Sequence, residues 1–212
     1  MPLIYRTDVL PSGHYGMWHN IEGDAFFLDN MSLFDEEIQE ISLLKGRKKS
    51  EWLSSRYLLH VLTDMDVRGA CVKDEFGKPY IKGMNYFISI SHTSDYTVAI
   101  GSYLPAGIDI QVIVPKIERI AHRFISAEEF DYIPDEQKIF YYHAIWGAKE
   151  SLYKAYGKKE LDFKRNIFVK SFVFEPKGFF FKGTVQKDEY YMDFTLFCKQ
   201  FQNLILVYAI QS

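Results

Sequence analysis

Apolar and polar positions along the chain follow two different periods, and the places where the period changes mark its elements. Residues 1–31 read as short strands, turning at Pro11-Ser12-Gly13 and at Glu22-Gly23-Asp24. Ser32 followed by Asp35-Glu36-Glu37 predicts a helix start. A helical pattern then runs, broken at Gly46, to about Met65, with Trp52, Tyr57, Leu58, Val61 and Leu62 among its apolar positions. Gly77-Lys78-Pro79 predicts a turn, because proline fixes φ and removes a donor. Tyr86 to Ser91 and Thr97 to Ile100 are rich in β-branched and aromatic residues and predict a hairpin around Thr93-Ser94-Asp95, with His92 opening the turn.

Pro105-Ala106-Gly107 interrupts the chain, and Ile108-Asp109-Ile110-Gln111 then alternates as a half-buried strand does. Residues 116–125 read as helix, and Ser126-Ala127-Glu128-Glu129 is a capping-box pattern for a second, short one. A longer helix is expected from Asp135 to Tyr156, with Asp135 as N-cap and Gly157 beyond its end. Ile167–Glu175, Phe179–Val185, Tyr190–Phe197 and Leu204–Ile210 read as strands. Strands and helices thus recur on both sides of Pro105. The expected architecture is two α/β lobes, residues 1–105 and 106–212, sharing an interface of the kind where ligand sites are common.

Composition narrows the function classes. A chain of 212 residues buries roughly 70% of its unfolded surface without disulfides or metals. Aromatics at 17% exclude a disordered chain. The formal charge of −3 gives no overall basic footprint, so no nucleic-acid partner is expected. The charge is uneven: residues 1–105 hold 10 Lys+Arg and 14 Asp+Glu, residues 106–212 hold 15 and 14, so the halves carry −4 and +1. The longest apolar runs, such as Leu204 to Ile210, are too short to span a bilayer, and no membrane partner is expected. The start, Met1-Pro2-Leu3-Ile4-Tyr5-Arg6, lacks the regions of a signal peptide. Cys71 and Cys198 form neither metal spacing nor a disulfide framework, which points to a cytoplasmic location.

Four segments carry candidate chemistry. On the long helix Ile145, Ala148 and Leu152 form one apolar stripe, while Trp146, Glu150 and Lys154, spaced i, i+4, i+8, lie nearly opposite. An ordinary surface Glu–Lys pair, worth about 0.2–0.5 kcal/mol, would look the same. Asp109 and Gln111 point to one side of their strand. One carboxylate from a strand and one from a helix suit Mg²⁺, which takes one or two protein carboxylates and completes its octahedron with water and substrate phosphate; a turn-associated Asp bonded to backbone is the alternative. Ser89-Ile90-Ser91-His92 offers short-reach donors for phosphate, or is simply a polar turn; no G-x-S-x-G elbow supports a hydrolase. Lys45-Gly46-Arg47-Lys48-Lys49, with Arg56 and Lys78, would hold further phosphates or form a solvated face.

Taken in order, these pieces resemble the 4′-phosphopantetheinyl transferases, specifically the larger, pseudo-twofold type. The resemblance rests on Phe76-Gly77-Lys78-Pro79-Tyr80, Ile88-Ser89-Ile90-Ser91-His92, Gly107-Ile108-Asp109-Ile110 and Trp146-Gly147-Ala148-Lys149-Glu150-Ser151-Leu152-Tyr153-Lys154, with Arg119 to Phe130 similar to the connecting segment. It implies an α+β fold of two similar lobes related by pseudo-twofold symmetry, with the active site at their interface within a monomer. It implies transfer of the phosphopantetheine arm of coenzyme A to a serine of an apo acyl or peptidyl carrier protein, releasing adenosine 3′,5′-bisphosphate. The nucleophile then comes from the partner.

By the same resemblance, Asp109 and Glu150 would hold Mg²⁺. Glu150 would also be the base for the carrier serine, directly or through water, and Lys154 would neutralise charge on the phosphates. Arg56, Lys78, Ser91 and His92 match positions that contact coenzyme A, with Lys45 and Lys48 of the basic cluster beside them. One departure stands out. The position two after the motif aspartate, often acidic in this type, is Gln111; it is expected to complete the metal site through its oxygen or through a water. A binding-only relative and an unrelated scaffold are the competing readings; the joint presence of Asp109, Glu150 and Lys154 argues against the first, and a failure of coenzyme A to shift thermal stability would favour the second.

Overall fold

The computed structural model describes residues 3–9, 13–63, 68–93 and 95–212. The fold is α+β, with two antiparallel sheets in two compact units, Met1–Leu104 and Pro105–Ser212. The expected turns at Pro11-Ser12-Gly13 and Thr93-Ser94-Asp95, and the helix end near Met65, reach into segments outside the described residues.

In the N-terminal unit, β1 (Leu3–Asp8) and β2 (Gly13–His19) open a six-stranded sheet. β3 (Cys71–Lys73), β4 (Pro79–Ile81), β5 (Phe87–Thr93) and β6 (Tyr96–Ser102) complete it in the order β1-β2-β6-β5-β4-β3. Helices α1 (Asp24–Asn30), α2 (Asp35–Ser42) and α3 (Arg47–Thr63) lie between β2 and β3 in sequence. Gly46 with φ +54° separates α2 from α3, as the sequence break predicts. α3 packs Leu53, Leu58, Leu59 and Leu62 into a core with Phe27 and Ile88.

Residues 24–30 depart from the strand expectation and form α1. Their apolar pair explains it: Phe26 and Phe27 join an aromatic cluster with Trp18 and Tyr57, ring centroids 5.1–6.1 Å apart. Only a helical turn presents both rings to that cluster. α2 is fastened by Glu37, which is fully buried and accepts from Arg68 Nη1 at 2.8 Å and from the Cys71 N–H at 3.1 Å.

In the C-terminal unit, β7 (Ala106–Val112), β8 (Ile167–Val169), β9 (Phe179–Lys187), β10 (Tyr190–Phe201) and β11 (Leu204–Gln211) form a five-stranded sheet in the order β7-β11-β10-β9-β8. α4 (Glu118–Phe124) and α5 (Ala127–Phe130) precede α6 (Lys138–Tyr156), which packs chiefly on β7 and β11. The expected strand Ile167–Glu175 shortens to β8, because only Ile167–Val169 pairs with β9. Asp135 starts a 3₁₀ turn rather than capping α6 directly. Gly157, at φ +74°, ends α6 by donating its N–H to the Tyr153 carbonyl at 3.0 Å. The stripe Ile145, Ala148 and Leu152 is completely buried in the core beneath the sheet. No helix of the described residues is long and apolar enough to cross a membrane.

Candidate functional site

Two glycines bring α6 unusually close to the sheet of the C-terminal unit. A Cβ on Gly107 of β7 would lie 1.9 Å from the Ser151 carbonyl, and one on Gly147 of α6 would lie 2.8 Å from Val207 and 3.1 Å from Gln111 Nε2. Ser151 Oγ seals the contact by donating to the Val207 carbonyl at 2.9 Å. The odd-numbered residues of β7 therefore face α6: Gly107 meets Ser151, Gln111 meets Gly147, and Asp109 meets the Lys154 side chain.

Lys154 Nζ sits 2.7 Å from Asp109 Oδ1 and donates to the Ile108 carbonyl at 3.0 Å. Lys154, nearly opposite the buried stripe on the helix wheel, thus reaches back to β7, and Glu150 lies near enough to sense Asp109. Glu150 is half-buried, and its carboxyl is pushed above the ordinary carboxylate range, first by burial and then by the negative charge of Asp109, with Lys154 opposing. Asp109 pairs with the ammonium, and Glu150 senses both charges. That leaves one net negative charge and hard oxygen donors, a set that fits Mg²⁺ with its remaining positions filled by water and phosphate. Among the described residues no group of three or more His, Cys, Asp or Glu forms an all-protein metal cage.

Gln111 has partners of its own beside the carboxylates. It shares the Asp109 face, as strand alternation requires, but its Oε1 lies 2.7 Å from His143 Nδ1. Its Nε2 donates to the His143 carbonyl at 3.2 Å and lies 3.5 Å from Asp109 Oδ2. The oxygen expected at the metal is thus engaged elsewhere. His143 is buried, and burial lowers its pKa, which favours the neutral ring. Beside this pair, Val112, Val114, Ile117, Ile120 and Trp146 line an open, largely apolar pocket of about 380 Å³ rimmed by Lys116 and Arg119.

The N-terminal unit carries a second constellation around a cavity of about 410 Å³. Lys48, Arg56 and His92, all expected to bind coenzyme A, line it together with Lys73, Glu40, Glu51 and Trp52, which the sequence did not single out. The Arg56 guanidinium lies 4.2 Å over the Trp52 ring and pairs with Glu40 at 3.3 Å. Three basic residues open α3, against the macrodipole, so an anion there would relieve their repulsion. Arg47 and Lys49 already pair with Glu51 at 2.6 Å and Asp24 at 3.2 Å. Lys45 is exposed and outside the cavity wall.

His92 lies within β5 opposite Thr97 rather than opening the turn, and its Nδ1 is 3.5 Å from Glu51. Ser91, one residue earlier, therefore points to the opposite face and is buried. Lys78 sits in the β3–β4 turn, where Asp74 Oδ1 accepts the Phe76 and Lys78 backbone N–H groups at 2.9 Å each and Gly77 adopts φ +88°. Burial lowers the Lys78 pKa to about 8.

The sequence also missed Lys149. It is fully buried, 2.8 Å from Glu129 Oε2, and donates to the Phe163 carbonyl at 2.7 Å. The signal was present: Lys149 stands four residues after Ile145 and three before Leu152, inside the apolar stripe, where an ammonium needs a buried counter-charge. Glu129 forms the expected capping box with Ser126 and, in addition, accepts the Val169 N–H at 3.0 Å.

Part of the chain is similar to known proteins. Residues 105–201 match the family model of the 4′-phosphopantetheinyl transferase superfamily. A 4′-phosphopantetheinyl transferase of Bacillus subtilis is 38% identical over 89 residues, 40% of this chain and 39% of the relative. The enzyme gsp of Aneurinibacillus migulanus is 32% identical over 111 residues, 51% and 46% respectively; psf-1 of Bacillus pumilus is 31% identical over 108 residues, 49% and 46%. The matches thus span less than half the length of these relatives. Residues 105–201, nearly the whole C-terminal unit, are thus similar to the 4′-phosphopantetheinyl transferase superfamily.

Proposed function

We propose that this protein transfers the 4′-phosphopantetheine arm of coenzyme A to a serine of an apo acyl or peptidyl carrier protein and releases adenosine 3′,5′-bisphosphate. The observation that carries the reading is the Asp109–Lys154–Glu150 cluster, which lies inside the segment matched to the transferase superfamily. Phosphoryl transfer asks a protein mainly for positioning and charge neutralisation.

Lys154 is held by Asp109 and the Ile108 carbonyl, so its ammonium is in place to meet charge that grows on the departing phosphate. Glu150, with a raised proton affinity, accepts the serine proton directly or through a water; its role as base improves as its pKa nears the working pH. Asp109 and Glu150 would hold Mg²⁺, whose charge would neutralise the coenzyme A pyrophosphate. Lys48, Arg56, Lys73 and His92 form a phosphate-binding wall in the N-terminal unit, with the Arg56 guanidinium supported on the Trp52 ring.

The test is the intact mass of candidate apo carriers after incubation with coenzyme A, Mg²⁺ and this protein. Gain of one phosphopantetheine on a carrier serine is the expected result. Unchanged mass for fatty-acid, polyketide and peptide carriers alike, with the protein folded, would overturn the proposal.

The low Lys78 pKa yields a pH prediction. If this ammonium contacts a phosphate, it must be protonated to bind, and the bound anion raises its pKa. Binding above about pH 8 then takes up a proton, and affinity falls as pH rises through that value. Calorimetry should find coenzyme A bound more weakly at about pH 9 than at about pH 7, and Lys78→Met should flatten the difference. An unchanged slope in the variant would remove Lys78 from the coenzyme A site.

A further inference from the structure

We propose that Gln111 is a positioning residue: His143 clamps its amide so that the N–H, not the oxygen, faces Asp109, and metal ligation rests on the Asp109 and Glu150 carboxylates with Gln111 outside the coordination sphere. The metal half of this statement rests on the reading of Asp109 and Glu150 as Mg²⁺ ligands; the clamp itself does not.

The orientation follows from the partners of one ring. The Val114 backbone N–H can only donate, and it points at His143 Nε2 from 2.9 Å. Nε2 therefore accepts, and the proton of the neutral ring is on Nδ1. The Val114 carbonyl, at 3.2 Å from the same nitrogen, is the more distant partner, and serving it would leave the Val114 N–H without its acceptor. Nδ1–H must then donate, so the atom 2.7 Å away has to be the Gln111 oxygen. The Gln111 nitrogen is left facing the His143 carbonyl at 3.2 Å and Asp109 Oδ2 at 3.5 Å, both acceptors.

Turning the amide over would create three mismatches at once: N–H against N–H, and an oxygen against both a carbonyl and a carboxylate. The missing side chain at Gly147 makes the arrangement possible, since a Cβ there would press on Gln111 Nε2 at 3.1 Å. Asp109 is consequently held at both oxygens, Oδ1 by Lys154 and Oδ2 by the amide. A neutral amide at this point adds no charge to the site. It fixes the plane of the carboxylate and ties it, through His143, to the same helix that carries Glu150.

Two measurements test the proposal. The first needs no metal. Long-range ¹H–¹⁵N spectra of the histidine-labelled protein, with His143 assigned through a His143→Gln variant, should show the Nδ1-protonated tautomer, and Gln111→Leu should shift that signal. An Nε2-protonated His143 would overturn the clamp, because the Gln111 oxygen would then be free to turn to the metal. The second titrates Mn²⁺ alone, followed by its electron paramagnetic resonance signal, into wild type, Gln111→Leu and Asp109→Ala. Gln111→Leu should weaken saturable binding by about tenfold, the range of outer-sphere partners, while Asp109→Ala abolishes it. Gln111→Leu as silent as Asp109→Ala would make Gln111 a ligand and overturn the proposal. Wild type without saturable binding would overturn the metal reading instead, and the tautomer would still decide the clamp.

Discussion

Glu150→Gln is expected to lower phosphopantetheine transfer by at least about a hundredfold, the range for loss of a positioned general base, and to leave the fold intact. The carboxylate stands off the buried stripe of α6, so no packing is lost. The substitution removes the candidate base and half of the carboxylate pair together. Stability should move in the opposite direction from activity. The folded pKa of Glu150 is raised by burial and by Asp109, so the ionised group opposes folding at any pH above that value. The neutral amide removes this opposition. Metal-free Glu150→Gln should therefore melt at or above wild type near neutral pH, and the difference should vanish as pH falls below the ordinary carboxylate value, where both side chains are uncharged. Melting curves across that range and single-turnover transfer rates check both halves. A variant that transfers within a few-fold of wild type at saturating Mg²⁺ would remove Glu150 from the chemistry.

The largest expected loss of stability comes from Glu129→Ala. Glu129 Oε2 accepts the Ser126 N–H and pairs with Lys149, and Oε1 accepts the Val169 N–H, so one carboxylate joins the start of α5, the middle of α6 and β8. Both partners of the ion pair are buried. Removing one leaves the other charged and unpaired in the core, at a cost of about 3–5 kcal/mol. For a chain of this size that corresponds to a melting temperature lower by roughly 6–20 °C. Burial already lowers the Lys149 pKa, and without Glu129 only deprotonation would relieve it. Replacing both groups, Glu129→Leu with Lys149→Met, should recover part of the loss, because no uncompensated charge remains. Urea unfolding of wild type and the two variants measures this. A double variant no more stable than Glu129→Ala would show that the backbone contacts to Ser126 and Val169, lost in both variants, dominate over the ion pair.

This pair also marks how far the sequence could be read. The capping box Ser126–Glu129 is local, three residues wide, and was visible as such; the ion pair spans twenty residues and was not. The same division runs through the molecule. The apolar stripe of α6, its stop at Gly157, the alternation that puts Asp109 and Gln111 on one face and the break at Gly46 all follow from repeat periods and from the conformational freedom of glycine. These features are decided within one or two turns of chain, so the residue order determined them. It also placed Glu150 and Lys154 one turn apart.

The tertiary structure decided what depends on which elements meet. α1 is a helix because Phe26 and Phe27 find Trp18 and Tyr57, an outcome that outweighs the strand-like local composition. Trp52, Lys73 and Glu40 line one cavity with Lys48, Arg56 and His92 only after α2, α3 and the sheet are assembled. That Lys154 meets Asp109 on β7 depends on two glycines that let α6 settle against the strand. Gln111 illustrates the limit most plainly. Its face was legible from alternation, but which end of its amide looks at Asp109 is set by a histidine 32 residues away, whose own proton is placed by a backbone N–H. Periodicity determines the direction in which a side chain leaves the backbone; hydrogen-bond complementarity with distant partners determines what it presents on arrival.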